Sequence, residues 1–199
     1  MRLSAPRIAP LSDAELTPEQ VRALEPYCFG NWGNITRTLA QKPEALSRFT
    51  PWLSYFISRY HELSPRVKEL VILRTGFLCR SGYEWGHHIV NAMRIGVTED
   101  EIVRIKEGPK AGWAPADAVL IQAADELHHD HFISDDTWAE LRRHYSERQC
   151  MDVVYTIAYY TELSMVLNTF GVQLESGFKL DPDLTGDDRD RAQLGLPES

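Results

Sequence analysis

Glu69, Glu84 and His88 are the residues of this sequence whose types and spacing suit proton transfer. Each residue of a helix turns by about 100°, so Ser81, Glu84 and His88 fall within roughly 60° of one another on one face. A carboxylate and an imidazole four residues apart can share a proton or clasp one substrate oxygen. Glu69 lies one helix earlier. Seven residues on from it stands Gly76, whose missing side chain lets the following helix approach closely on the Glu69 face. A plainer reading stands beside this one. Glu/His pairs at i,i+4 are often surface contacts worth about 0.2–0.5 kcal/mol. Glu69, in an otherwise apolar run, can simply pair with Arg66 or Arg74. Spacing alone leaves both open.

Other chemistry-bearing residues are weaker candidates. Tyr83 and Trp85 can line a pocket for a flat substrate, or pack in the core. Arg74 can bind a carboxylate, or pair with an acidic neighbour. His128-His129-x-His131, with Asp125 and Glu126, invites a metal reading, but consecutive helical side chains diverge by about 100°. A solvated helix C-terminus, where a cationic imidazole is favoured, accounts for those histidines equally well. Tyr159, Tyr160 and Asn168 share one apolar segment and offer a polar pocket wall or an intersubunit contact.

The elements that must hold these residues read as helices throughout. Thr17-Pro18-Glu19-Gln20 is an N-cap, a proline at N1 and a glutamine at N3. Pro26 and the Gly30–Asn34 cluster break the chain before a short helix from Ile35 to about Ala40. Lys42-Pro43 opens a longer one through Phe49, Trp52, Leu53, Phe56 and Ile57. Ser64-Pro65 caps the next, with Val67, Leu70, Val71 and Leu78 on one side, running to about Cys79. Gly82 ends that run, and a new helical segment follows to Ile95, closed by Gly96 as its C-cap. Capping boxes at Thr98–Glu101 and Ser146–Gln149, Pro115, and a cap at Ser134 open four more, the last running from Met151 to Phe170 and stopping at Gly171. No segment alternates with period 2, so the fold class is all-α.

Composition narrows the function. The chain of 199 residues carries 29 acidic and 21 basic side chains, a formal charge of −8. That balance argues against a nucleic-acid surface. No apolar run approaches the ~20 residues that span a bilayer, and the first residues lack the apolar stretch of a secretory signal. Cys28, Cys79 and Cys150 form neither a disulfide framework nor a zinc knuckle. A cytoplasmic protein with no nucleic-acid and no membrane partner is expected. Residues 1–178 read as one helical domain; from Lys179 on, Asp181, Asp183, Asp187, Asp188 and Asp190 with two prolines read as a loosely docked or flexible acidic tail.

Glu69, then Ser81-x-x-Glu84-x-x-x-His88, then Gly96-x-Thr98-x-x-Glu101-Ile102, resembles the carboxymuconolactone decarboxylase and alkylhydroperoxidase D-like superfamily. The resemblance extends through Ala123–His128, Ile133-Ser134-x-x-Thr137-Trp138-x-x-Leu141 and Asn168-x-Phe170-Gly171-Val172, covering roughly residues 40 to 175. It implies a single-domain helical bundle assembled as a homo-oligomer. In the hydroperoxidase branch a C-x-x-C pair is preceded by a Glu and followed by a His. Here Glu69 and His88 match, while Ser81 and Glu84 occupy the cysteine positions. A dithiol relay needs one thiolate to attack and a second thiol to resolve, and neither residue can do that. The decarboxylase branch is the nearer match. It implies cofactor-free chemistry, with no metal, on a small organic acid or lactone, as in the degradation of aromatic compounds. Glu69, Glu84 and His88 are then the catalytic residues, and Ser81, Tyr83 and Trp85 line the substrate. A thiol-dependent peroxidase-like antioxidant and a non-catalytic ligand-binding scaffold are the competing functions.

Overall fold

The computed structural model describes residues 3–27 and 33–185. Cys28, Gly30, Asn31 and Trp32, and the tail residues Asp187, Asp188 and Asp190, lie outside the described residues. Among those described, every regular element is helical: α1 (Pro18–Leu24), α2 (Asn34–Leu39), α3 (Pro43–Phe56), α4 (Pro65–Leu78), α5 (Gly82–Arg94), α6 (Glu99–Glu107), α7 (Pro115–His129), α8 (Asp135–His144) and α9 (Glu147–Phe170). Short 3-10 turns occupy Asp13–Glu15, Glu25–Tyr27 and Pro182–Leu184.

The helix starts are written in local chemistry. The side chains of Thr17, Ser64, Ser81, Thr98, Ser134 and Ser146 each accept a hydrogen bond from the backbone N–H three residues on. These bonds satisfy donors that have no partner inside the helix. Gly171, in the left-handed conformation with φ 70°, terminates α9.

Helix α4 is the axis of the molecule and packs against α5, α7 and α9. Its residues from Glu69 to Gly76 are all buried. The one-sided pattern expected from Val67, Leu70, Val71 and Leu78 is therefore too narrow. Consecutive residues of α4 point about 100° apart, and three in a row feed three different cores. Leu70 joins Trp85, Ile102 and Ile105 against α5 and α6. Val71 joins Leu120, Ala124, Leu141 and Val153 against α7, α8 and α9. Ile72 joins Phe56, Tyr159 and Leu163 against α3 and α9. A helix enclosed on all sides shows no single apolar stripe.

Lys179 to Thr185 is docked on this body. Leu180 and Leu184 pack into the Trp85 core, and the Trp85 indole N–H donates to Asp181 at 3.0 Å. Lys106 pairs with both Asp181 and Asp183 at 2.7 Å. Aspartates that look like a solvated run are here ligands for one lysine and one indole.

Candidate active site

The turn between α4 and α5 sets the site. Cys79 caps α4, Arg80 adopts φ 52°, and Ser81 begins α5 as its N-cap. Arg80 N–H donates to Phe77 O at 2.9 Å and Ser81 N–H to Gly76 O at 2.8 Å. This is the two-bond helix stop usually completed by glycine, built here on an arginine. The chain reverses within two residues, and α5 lies back along α4. At the crossing, a Cβ on Gly76 would sit 3.5 Å from Glu84 Cβ and 3.8 Å from Trp85 N. The close approach expected at Gly76 is present.

The reversal brings Glu69, Glu84 and His88 together. His88 Nδ1 lies 2.7 Å from Glu69 Oε2, and His88 Nε2 lies 3.4 Å from Glu84 Oε2. The imidazole is thus held between carboxylates on two helices. Neither arginine competes for Glu69. Arg66 pairs with Glu101 and Asp117. Arg74 clamps Asp125 through Nε at 2.5 Å and Nη2 at 2.9 Å, and donates to the carbonyls of Ile105 and Lys106. The plainer pairing of Glu69 with an arginine does not occur, and Arg74 ties α4 to α6 and α7.

All three side chains are largely shielded: 14% exposed for His88, 9% for Glu69 and 5% for Glu84. Burial opposes a charged imidazole, but the hydrogen bonds to Glu69 and Glu84 outweigh it and raise the His88 pKa to about 9. His88 is therefore a charged acid at neutral pH. Tyr160 on α9 stands edge-on to the ring, with centroids 5.1 Å apart at 89°. Burial and the two nearby carboxylates push its hydroxyl well above its ordinary value.

The remaining sequence candidates fall elsewhere. Ser81 is fully buried, its oxygen engaged by Glu84 N–H as the α5 cap. Trp85 is fully buried in the α4–α5–α6 core. The Tyr83 hydroxyl donates to Glu175 Oε1 at 2.8 Å and accepts from Ile35 N–H at 3.4 Å. His87 Nε2 meets the other Glu175 oxygen at 2.7 Å. Glu175 had no signal in the local sequence, since its partners stand 88 and 92 residues away. His128 and His129 stand with their rings 4.9 Å apart and nearly perpendicular, and His131 follows the helix end at φ 57°. Among the described residues, no group of three or more His, Cys, Asp or Glu side chains is arranged to hold a metal ion.

The comparisons agree with this architecture. Residues 43–125, which contain all of α3, α4, α5 and α6, match the carboxymuconolactone decarboxylase family. No curated protein matches the chain in sequence. Among solved structures, a variant of the debrominase Bmp8 bound to 2,3,4-tribromopyrrole superposes with a TM-score of 0.70 at 16% identity, over 87% of this chain and 94% of that one. A peroxidase-related protein from Silicibacter sp. TM1040 gives 0.69 at 15% identity, over 89% and 93%. A protein of unknown function from Agrobacterium tumefaciens, provisionally assigned to AhpD antioxidant defence, gives 0.64 at 18% identity, over 69% and 94%. Residues 43–125, which carry the Glu69–His88–Glu84 arrangement, are thus similar to the carboxymuconolactone decarboxylase family, and the chain shares the helical fold of these solved structures.

Proposed function

We propose that the protein is a cofactor-independent proton-transfer enzyme, a decarboxylase or a related lyase or isomerase, acting on a small organic acid or lactone. The observation that carries this reading is the buried imidazole held 2.7 Å from Glu69 and 3.4 Å from Glu84. His88 Nε2–H is the proton donor. Glu69 on Nδ1 fixes the ring and keeps it charged. The looser contact to Glu84 gives a substrate atom room to enter between carboxylate and ring. In a vinylogous acid, the carbon–carbonyl bond to the carboxylate breaks and CO2 leaves. The electron pair passes into the conjugated carbonyl, and His88 delivers its proton to carbon. Glu84, beside the departing carboxylate, favours its loss as a neutral molecule. The same pair can take a proton from one carbon and return it to another.

Part of this reading is a homo-oligomer in the cytoplasm, in a route that degrades aromatic compounds. Met151, Tyr155 and Met165 leave an exposed apolar stripe along α9, at 46%, 38% and 62% exposure, which supports self-association. Among the described residues Cys79 and Cys150 form no disulfide, as suits a reducing compartment. No described helix is long and apolar enough to cross a membrane.

The test is incubation with a panel of unsaturated lactones and keto acids in deuterated water. CO2 release, or deuterium at the protonated carbon, is expected, and both should vanish in His88→Gln. Full turnover in that variant would overturn the reading. Hydroperoxide consumption with a dithiol, lost in Cys79→Ser, would replace it with the antioxidant function. Ligand binding without turnover of any kind would replace it with the scaffold.

A further inference from the structure

A second, separate group of reactive side chains lies at the far end of α4. Cys79 Sγ stands 3.8 Å from His128 Nδ1 on α7 and 4.0 Å from Thr161 Oγ1 on α9. Asn168 Nδ2 donates to Cys79 O at 2.8 Å, fixing the backbone that carries the thiol. These residues line a cleft of about 870 Å³ that contains none of Glu69, Glu84 or His88. Thiol and imidazole are half-buried and within reach of one another, as a nucleophile and its base must be. Burial and the neighbouring His129 hold His128 below its ordinary pKa, so the ring is neutral and able to take the thiol proton.

The cleft has a charge preference. Arg7 and Arg80 both line it, from the N-terminal segment and from the α4–α5 turn, each also donating to a backbone carbonyl at 3.4 Å, Arg7 to Thr169 O and Arg80 to Thr185 O. Asp183 also lines it, but is held by Lys106 at 2.7 Å. His129 and His131 lie on the same wall as His128. Phe77, Leu78 and Leu127 give the interior an apolar lining beside the thiol. An apolar cleft with a cationic rim and a soft nucleophile suits a small carbon electrophile that carries a carboxylate.

We propose that Cys79 and His128 form a nucleophilic site, independent of the Glu69–His88–Glu84 site, that captures small unsaturated keto acids through the thiol. His128 Nδ1 takes the Cys79 proton. The sulfur forms a bond to the β-carbon while the carbon–carbon π pair moves towards the ketone to give an enolate. His128 then returns the proton to the α-carbon. The product is a thioether, no atom leaves, and nothing is oxidised or reduced. Arg7 and Arg80 hold the carboxylate.

The test uses two maleimides with the same electrophilic carbon, the anionic maleimidopropionate and the neutral N-ethylmaleimide. The rate of Cys79 modification in the full chain is followed by peptide mapping and normalised to N-acetylcysteine. Cys79 is expected to prefer maleimidopropionate by about tenfold through the cationic rim. Arg7→Gln with Arg80→Gln should remove that preference and leave the N-ethylmaleimide rate near that of the parent. His128→Gln should slow both reagents by about tenfold or more, the loss of a general base. Equal normalised rates for the two reagents overturn the proposal. So does a preference that survives loss of both arginines, or a His128→Gln protein that reacts as fast as its parent. Because the readout is alkylation of Cys79, these outcomes stand whatever His88→Gln does to turnover.

Discussion

At the scale of single residues, the site is one imidazole with two carboxylates. Its charge is the quantity to test. His88 has a folded pKa of about 9, above its ordinary value. The stability it contributes is therefore fully present below about pH 6.5, where the unfolded ring is also charged, and is lost as pH rises through the folded pKa. The melting temperature of the parent minus that of His88→Gln should be constant in mild acid and shrink between neutrality and pH 9. If His88 is the acid, turnover should hold across neutral pH and fall on an alkaline limb near 9. Glu69→Gln should move that limb down towards the ordinary imidazole value of about 6.5, a shift that mere misfolding does not produce. His88→Gln should lower turnover by about 10²- to 10⁴-fold.

At the scale of elements, the α4–α5 pair and the ties from α4 to its neighbours decide whether that constellation exists. Gly76→Ala adds a methyl at ordinary contact distance from Glu84 and Trp85. It should change unfolding free energy by no more than about 1 kcal/mol, since helix propensity favours alanine. Gly76→Val pushes on the backbone of α5, and should cost about 1–3 kcal/mol with a disproportionate loss of turnover as Glu84 is displaced. Gly108 has φ 101°, and a Cβ there would lie 3.0 Å from Arg74 Nη2. Gly108→Ala should destabilise by about 1–3 kcal/mol in urea unfolding, from backbone strain together with disturbance of the Arg74–Asp125 clamp. The two ends of α4 differed in how much of their chemistry was legible. Ser64-Pro65 marked its start because capping chemistry is local. Its end near Cys79 was legible as well, but not the left-handed arginine that makes the stop, because Arg80 is held there by Phe77 and Gly76 carbonyls that only the formed helix supplies.

At the scale of the whole molecule, the chain after α9 is fastened ahead of its docked Lys179–Thr185 stretch by the Glu175 carboxylate. Glu175 accepts from the Asn34 backbone N–H at 2.6 Å and the Tyr83 hydroxyl at 2.8 Å, and pairs with His87 at 2.7 Å. Burial alone raises a carboxyl pKa, but the bonds from His87, Asn34 and Tyr83 prevail and lower that of Glu175 to about 2. Its contribution to stability is thus present above the ordinary carboxylate value and lost as pH falls through the acid range towards 2. Glu175→Gln should cost about 1–3 kcal/mol, and limited proteolysis should then cut first in the segment joining α9 to Lys179. Unchanged stability and an unchanged cleavage pattern would show that the apolar docking of Leu180 and Leu184 suffices.

The division between sequence and tertiary structure follows the range of the forces involved. Caps, prolines and terminal glycines act within one turn, so the order of the helices and most of their limits were written in the sequence. The face shared by Glu84 and His88 was too, because it needs only the helical period. What the tertiary structure decided is which partners those groups take. Glu69 bonds His88 rather than Arg66 or Arg74 because other acids, on α6 and α7, claim both arginines. Trp85 became core and Ser81 a cap. Glu175 came to hold His87 and Tyr83, and Cys79 came to face His128, across separations that no local pattern spans. Pairing between side chains so far apart in sequence is fixed only when burial excludes water and leaves each polar group one neighbour to satisfy it.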